Sequence, residues 1–302
     1  MAVSTDKSIS TPGVLLTGAS SQIGIFAIPK LVGAGFRVFA VSRKGKPPGY
    51  PDYKQVQWLN EASAMDLCQD CEYLLSAGPL NLAKKFLVAV DRLKTAIVFS
   101  SSSVETKQRS NDPVERQQVF DMLGLESDLQ SRAENTGKKL LILRPTLIYG
   151  CGLDTNISRL ASWVRRFGFI PVNGKATGLR QPVHADDLAQ VAVAALHFKG
   201  VLPHTLSLGG GETLSYSDMA MRIFAAMEKP VRLVRLPEWL FISLLRFACR
   251  LRLISGVNPE MVKRQNANLV MDDKAARDLL DYDPRPFVPT VADFSLPALQ
   301  NE

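Results

Sequence analysis

Between residues 13 and 150 the chain alternates short β-branched runs with longer segments whose apolar residues recur three and four apart. That alternation predicts a parallel sheet with crossover helices. The strands read as Val14 to Thr17, Arg37 to Ser42, Gln55 to Leu59, Tyr73 to Ser76, Ala96 to Ser100 and Leu140 to Arg144. A helix is expected after each, for example Ile23 to Ala34 and Leu80 to Leu93. Six such strands fit a doubly wound α/β fold of the Rossmann type, assigned to residues 1–150 as a dinucleotide-binding domain. After Gly150 the rhythm breaks. Helical stretches at Asn156 to Phe167, Ala185 to His197, Ser217 to Met227 and Pro237 to Leu253 alternate with Gly- and Pro-rich loops and one short strand, His204 to Leu208. Residues 151–302 therefore read mainly as a smaller substrate lobe over the carboxyl edge of the sheet, with one strand returning to it.

Composition narrows the class. The 302 residues are 46% hydrophobic and 22% charged, which sets aside disordered, collagen-like and coiled-coil chains. A net charge of +7 points to an anionic partner. The basic residues do not interleave with aromatics as in a nucleic-acid module, so a small anionic substrate is expected and nucleic acid is not. Four cysteines make no disulfide scaffold and residues 1–13 lack the apolar run of a signal peptide, so a reducing cytoplasm is the expected compartment. Oligomeric state is left unassigned. The apolar stretch from Trp239 to Leu253 is broken by Arg246, Arg250 and Arg252, well short of the ~20 residues a membrane span needs.

The first strand runs into Thr17-Gly18-Ala19-Ser20-Ser21-Gln22-Ile23-Gly24 and then a helix. A tight strand-to-helix turn aims backbone N–H groups and the positive helix end at a pyrophosphate, with Gly where the backbone must approach closely. Here Gly18 and Gly24 are kept and Ser21 replaces the middle glycine. Further segments follow in order: Phe99-Ser100-Ser101-Ser102-Ser103-Val104, Leu143-Arg144-Pro145 with Tyr149-Gly150, Arg180-Gln181-Pro182-Val183-His184-Ala185-Asp186-Asp187-Leu188, Leu208-Gly209-Gly210-Gly211-Glu212, and Ala275 to Pro284. From about Val14 to Phe287 this series resembles the extended and atypical short-chain dehydrogenase/reductases, the NAD-dependent epimerase/dehydratase family.

The resemblance implies an NAD(P)-binding oxidoreductase or epimerase acting on a nucleotide-sugar-like or other anionic substrate. It places the cofactor along Gly18, Ser20, Ser21, Gln22, Ile23 and Gly24, then Ser42 and Arg43, then Ser76, Ala77 and Gly78, with Ser100 and Pro145 near the nicotinamide. NAD-binding turns usually carry an acid at the end of the second strand for the ribose 2′-OH. This strand ends Val41-Ser42-Arg43-Lys44. Cations there suit a 2′-phosphate, so NADP is the expected cofactor, with NAD the alternative.

Family members that oxidise or reduce an alcohol pair a Tyr with a Lys four residues on, in the helix after the serine-rich strand. Residues 113–135 contain neither Tyr nor Lys. Aligning Glu126 with the acid that often follows the pair puts Gln118 and Met122 at its positions. Ser102, with Ser101 beside it, matches the family hydroxyl that meets the substrate oxygen. Two readings follow: an enzyme taking its proton from Lys107, Tyr149 or water, or a dinucleotide-binding sensor or assembly protein without turnover. The enzyme is preferred because the substrate lobe keeps its family features.

In members that act on nucleotide sugars, an Arg four residues before a His, with Asp-Leu three further on, contacts the diphosphate. Arg180, His184 and Asp187-Leu188 match that spacing, and Asn156 and Arg264 are further substrate candidates. The competing reading pairs Arg180 with Asp186 as a brace of the lobe. Cys68-Gln69-Asp70-Cys71 has half-zinc-site spacing, but no second pair exists, so both are expected to be buried as small apolar residues and no metal site is expected. Cys151 is a candidate for the cleft wall, and His184 reads as structural. Residues 231–268 hold seven basic side chains against Glu238 and Glu260. The amphipathic stretch from Trp239 to Leu253 fits either a core-covering helix with a solvated basic face, the expected case, or a helix lying on an anionic membrane.

Overall fold

The computed structural model describes residues 11–252 and 257–296. Its first half runs β1 (Gly13–Thr17), α1 (Gln22–Gly33), β2 (Arg37–Val41), β3 (Val56–Leu59), α2 (Glu61–Leu67), β4 (Tyr73–Ser76), α3 (Leu80–Ala89), β5 (Thr95–Phe99), α4 (Ser103–Thr106), α5 (Pro113–Asn135) and β6 (Lys139–Pro145). The second half continues with β7 (Ile148–Tyr149), α6 (Ile157–Phe167), β8 (Ile170–Asn173), β9 (Leu179–Arg180), β10 (Val183–His184), α7 (Ala185–His197), β11 (Thr205–Leu208), β12 (Leu214–Ser215), α8 (Tyr216–Ala226), β13 (Leu233–Leu236), α9 (Glu238–Arg250), α10 (Pro259–Arg264) and α11 (Lys274–Leu280).

Seven strands form one sheet in the order β11-β6-β5-β4-β1-β2-β3, and every neighbouring pair is parallel. Strand order reverses between β1 and β4, which opens the crevice where doubly wound sheets bind ligands. Because side chains alternate across a strand, Val14 and Leu16 of β1 enter one core with Ile28, Leu31 and Leu188. Leu15 enters the other with Leu74, Phe86 and Leu129. Helices α1 and α7 thus cover one face, and α3 and α5 the other. A third core holds the lobe: Ile157, Val164, Ile170, Ile223, Phe224 and Phe287 are all buried. Its small sheets pair β10 with β7, β12 with β9 and β13 with β8.

Two departures from the sequence reading have local causes. No helix joins β2 to β3, because Gly45, Pro47, Pro48, Gly49 and Pro51 fill that connection and proline cannot extend an interior turn. Helix α3 stops at Ala89, where Val90 turns extended and buries its side chain in the second core. The expected returning strand, Thr205–Leu208, pairs with β6 and completes the sheet as its seventh member. Helix α9 ends at Arg250, and Leu253 and the first ten residues lie outside the described residues. Among the described residues no helix is long and apolar enough to cross a membrane.

Candidate dinucleotide and substrate site

β1 delivers Thr17 to a turn that only glycine can make. Gly18 has φ +67, and a Cβ there would lie 2.5 Å from the Ala77 carbonyl and the Gly78 nitrogen. At Gly24 a Cβ would come within 2.3 Å of the Gly18 oxygen, so α1 packs directly on the turn. Ser21 caps α1: its hydroxyl accepts the Gly24 amide at 3.1 Å. Among the described residues the amides of Gln22 and Ile23 find no acceptor and Gln22 Oε1 is buried without a partner. Free first-turn donors at a positive helix end fit a pyrophosphate, and this is the local test a dinucleotide must pass.

Neighbouring hydroxyls lock the turn to the adjacent strands. Thr17 Oγ1 donates to Ser76 Oγ at 2.7 Å, and the Ala77 amide donates to Thr17 O at 2.9 Å. Ser20 and Ser42 share a hydrogen bond of 2.8 Å, and Ser42 Oγ also accepts the Lys44 amide. Arg43, just past β2, is exposed and forms no ion pair among the described residues.

At the end of β5 the four serines divide. Ser100 donates to Glu126 of α5, which also accepts from Arg144 of β6; Arg144 in turn reaches Glu105 at 3.0 Å. Ser100 is thereby tied to a buried acid–guanidinium network. Ser101 Oγ accepts the Ser103 amide, while the Ser102 amide donates to the Pro145 carbonyl at 3.0 Å. The Ser102 hydroxyl has no protein partner among the described residues, and both Ser101 and Ser102 line a cavity of about 590 Å³ between the sheet edge and the lobe.

Gln22, Lys107 and Glu115 face this cavity from the Rossmann side, and Asn156, Arg180 and Arg264 face it from the lobe. Arg180 is 5% exposed and has no carboxylate partner among the described residues. Its guanidinium donates to the carbonyls of Leu179, Ala267 and Arg264 and lies 5.5 Å from the Tyr216 ring centroid. Burial pushes its pKa down to about 10. Asp186, the alternative brace, instead pairs with Lys30 and Arg285. Arg264 makes two hydrogen bonds of 2.7 Å to Glu115, so its charge is already matched. Burial favours the neutral acid, but bonds from Arg264, Ser110 and Asn258 and the Arg264 charge outweigh it and hold the Glu115 carboxyl at about 2. Lys107 Nζ stands 3.7 Å from the same carboxylate. Asn156 sits at the N-terminus of α6 without capping it, its side chain exposed at the cavity wall.

Glu115 was not singled out by sequence reasoning. Asp112 and Glu115 are spaced as a helix-capping box, and that pattern hides it. Asp112 does cap, accepting the Val114 amide, but Glu115 turns to Arg264. Gln118 and Met122 share its face of α5, three and seven residues on; Gln118 is exposed and Met122 packs on the second core. Tyr149 is outside the cavity wall, stacked edge-on against His184 and Phe287, with burial pushing its phenol pKa up. Cys151 is also buried away from the cavity, its thiol pushed up to about 12 by burial. His184 accepts the Asp186 amide on Nδ1 and meets Asp293 at 3.1 Å on Nε2. These contacts hold the start of α7. Cys68 and Cys71 are buried in the second core.

No known protein-family pattern matches the chain. It is 24% identical over 176 residues to UDP-glucose 4-epimerase of Vibrio cholerae, a match covering 55% of this chain and 53% of that protein. The chain spans about half the length, or less, of the curated relatives it matches. Among solved structures, UDP-glucuronic acid 4-epimerase of Bacillus cereus in complex with NAD superposes with a TM-score of 0.69 at 17% identity, covering 94% of this chain and 97% of that one. UDP-N-acetylglucosamine 4-epimerase of Bacillus cereus superposes with a TM-score of 0.67 at 15% identity, covering 94% and 95%. The chain therefore has the α/β fold of these epimerase structures, a parallel Rossmann-like sheet with its appended lobe.

Proposed function

We propose that the chain is an enzyme that binds a nicotinamide dinucleotide at the β1/β4 switch point and acts as an oxidoreductase or epimerase on a nucleotide-sugar-like anion. The observation that carries this reading is Arg180: a buried guanidinium without a counter-ion among the described residues, facing a cavity that Ser102 also lines, its hydroxyl unpartnered there. A buried cation is costly until an anion joins it, and a phosphate group suits its planar fork. The fold supports the reading, since the superposed UDP-glucuronic acid 4-epimerase holds NAD.

Gln22 and Ile23 would hold the pyrophosphate through their amides. Arg43 would meet a 2′-phosphate, so NADP is the preferred cofactor. When bound, the nicotinamide supplies hydride transfer. Ser102 donates a hydrogen bond to the reacting substrate oxygen. Lys107, rather than the buried Tyr149, carries the proton to or from that oxygen, because it lines the cavity beside the serines. This departs from the Tyr-Lys pair, for which α5 supplies neither residue. The four cysteines, all free, fit a reducing cytoplasm.

The test is a titration of the purified protein with NADPH and NADH, followed by incubation of the protein with NADP+ or NAD+ and a panel of UDP-sugars, read by chromatography of the products and by absorbance at 340 nm. Preferential NADPH binding with epimerised or oxidised product is the expected result. Absence of dinucleotide binding overturns the proposal. Tight binding without product across the panel favours the sensor or assembly reading.

A further inference from the structure

The sequence pattern turned the apolar side of the stretch after Trp239 inward and its arginines outward. Helix α9 keeps the arginines outward but leaves several of its large apolar side chains exposed as well. Leu245 is its one buried residue, and Phe241 and Leu245 line the substrate cavity. Trp239, Leu244 and Phe247 are half or more exposed, at 70%, 50% and 60%, and Leu251 just beyond the helix is also exposed. At 100° per residue, Trp239, Ser243, Phe247 and Leu251 form one outward stripe, with Arg246 and Arg250 along its flank. Exposed Val234 and Arg235 of β13 precede the helix.

Charge on this surface is one-sided. Residues 231–252 contain five arginines (232, 235, 246, 250 and 252) and a single acid, Glu238. All five are exposed, and none forms an ion pair among the described residues. Glu238 is engaged by Asn173 at 2.9 Å. Large apolar side chains gathered on one exposed face mark an interaction site, and their mixture with unpaired arginines selects the occupant. A second copy would set these arginines against their own kind. An anionic bilayer offers phosphates to the guanidinium groups and an acyl boundary to Trp239 and Phe247.

We propose that the outer face of α9, with Trp239 and Phe247 between Arg235, Arg246 and Arg250, docks the protein on an anionic phospholipid surface. Docking places the bilayer one helix diameter, about 10 Å, from the cavity wall formed by Phe241 and Leu245. The inference stands apart from the proposed chemistry, because it concerns binding alone.

The experiment is co-sedimentation of the full chain with phosphatidylcholine vesicles, with and without phosphatidylglycerol at one part in four, at 0.15 M and 0.5 M salt. Binding to the anionic vesicles alone, weakened by salt, is expected. Arg246→Gln with Arg250→Gln should weaken it roughly 25-fold, about five-fold per arginine. Trp239→Ser with Phe247→Ser should abolish it, with the circular dichroism spectrum and NADPH binding retained. No sedimentation with anionic vesicles overturns the proposal. So does anionic binding that is indifferent to the Trp239 and Phe247 changes, which is general polyanion attraction. Light scattering that shows a dimer dissolved by the same changes also overturns it, assigning the face to self-association.

Discussion

Replacing Arg180 by Met removes the unmatched cation while keeping an unbranched side chain in its channel. Arg180 is 5% exposed, and its pKa of about 10 implies a desolvation cost of roughly 3 kcal/mol in the ligand-free site, at about 1.4 kcal/mol per tenfold change in proton affinity. A bound diphosphate recovers part of that cost, and a hydrogen bond to a charged group contributes about 1.5–3 kcal/mol. The variant should therefore bind UDP some 10- to 100-fold more weakly by calorimetry. Its folding stability reflects two opposed changes, loss of the desolvation cost and loss of donors to the carbonyls of Leu179, Ala267 and Arg264. At about 1.5–3 kcal/mol for each of these charge-assisted bonds the lost donors outweigh the relieved cost, so urea denaturation should show a destabilisation of about 2–6 kcal/mol. Arg180→Lys keeps the charge but loses the fork and should fall between the two. NADPH affinity, set at the β1 turn, should not move. Unaltered UDP affinity in a folded variant would refute the anion-site argument, and an unfolded variant would make Arg180 a brace joining β9 to the 264–267 segment.

Arg43→Ala should weaken NADPH by about 10-fold or more while leaving NADH within two-fold, measured by fluorescence titration; equal losses would sink the 2′-phosphate assignment. Ser102→Ala should lower kcat about 100-fold with cofactor affinity intact, the range for removing one donor to a developing oxyanion. Glu115→Gln should destabilise the fold by about 3 kcal/mol at pH 7, because it leaves Arg264 with a half-buried, unmatched charge. The sign with pH follows from the depressed carboxyl: the Glu115 contribution is complete above the unfolded value near 4.3 and is lost as pH falls through about 2. Denaturation curves of the two proteins should therefore converge between pH 4 and 2, and a constant gap down to pH 2 would exclude the ion pair as the source.

Much of the sheet was legible because its signal is local. Each strand of the first half is a short apolar run bounded by turn residues, and the β1 turn needs Gly18 and Gly24 for reasons of backbone approach that spacing alone conveys. Where the reading failed, a periodic pattern overrode punctuation. The prolines between β2 and β3 argued against a helix there, and Val90 marked the end of α3 by its burial across the sheet, which no window of neighbouring residues contains. Outward-facing aromatics on α9 were illegible for the same reason. Apolar periodicity tells that a helix has an apolar stripe, but the width of the surface available to cover it is a property of the lobe.

The site divides along that line. Residues that act through their own backbone or immediate neighbours, such as Ser21 capping α1 and Ser102 at the β5 end, could be named from the motif that contains them. Charge pairing could not. Arg180 and Arg264 were both phosphate candidates in the sequence, Arg264 the weaker for its loosely matching flanks, and Glu115, 149 residues before Arg264, neutralises only the latter. The distinction matters chemically: an arginine held in a bidentate carboxylate pair must break it to receive a phosphate, whereas Arg180 gains its first anionic partner. Through Lys107, 3.7 Å from its carboxylate, Glu115 also reaches the candidate proton carrier. A residue that reads as half of a helix cap thus ties the lobe, through Arg264 and Asn258, to the segment after α4, through Lys107 and Ser110, and that role exists only once α5 and α10 have been brought together.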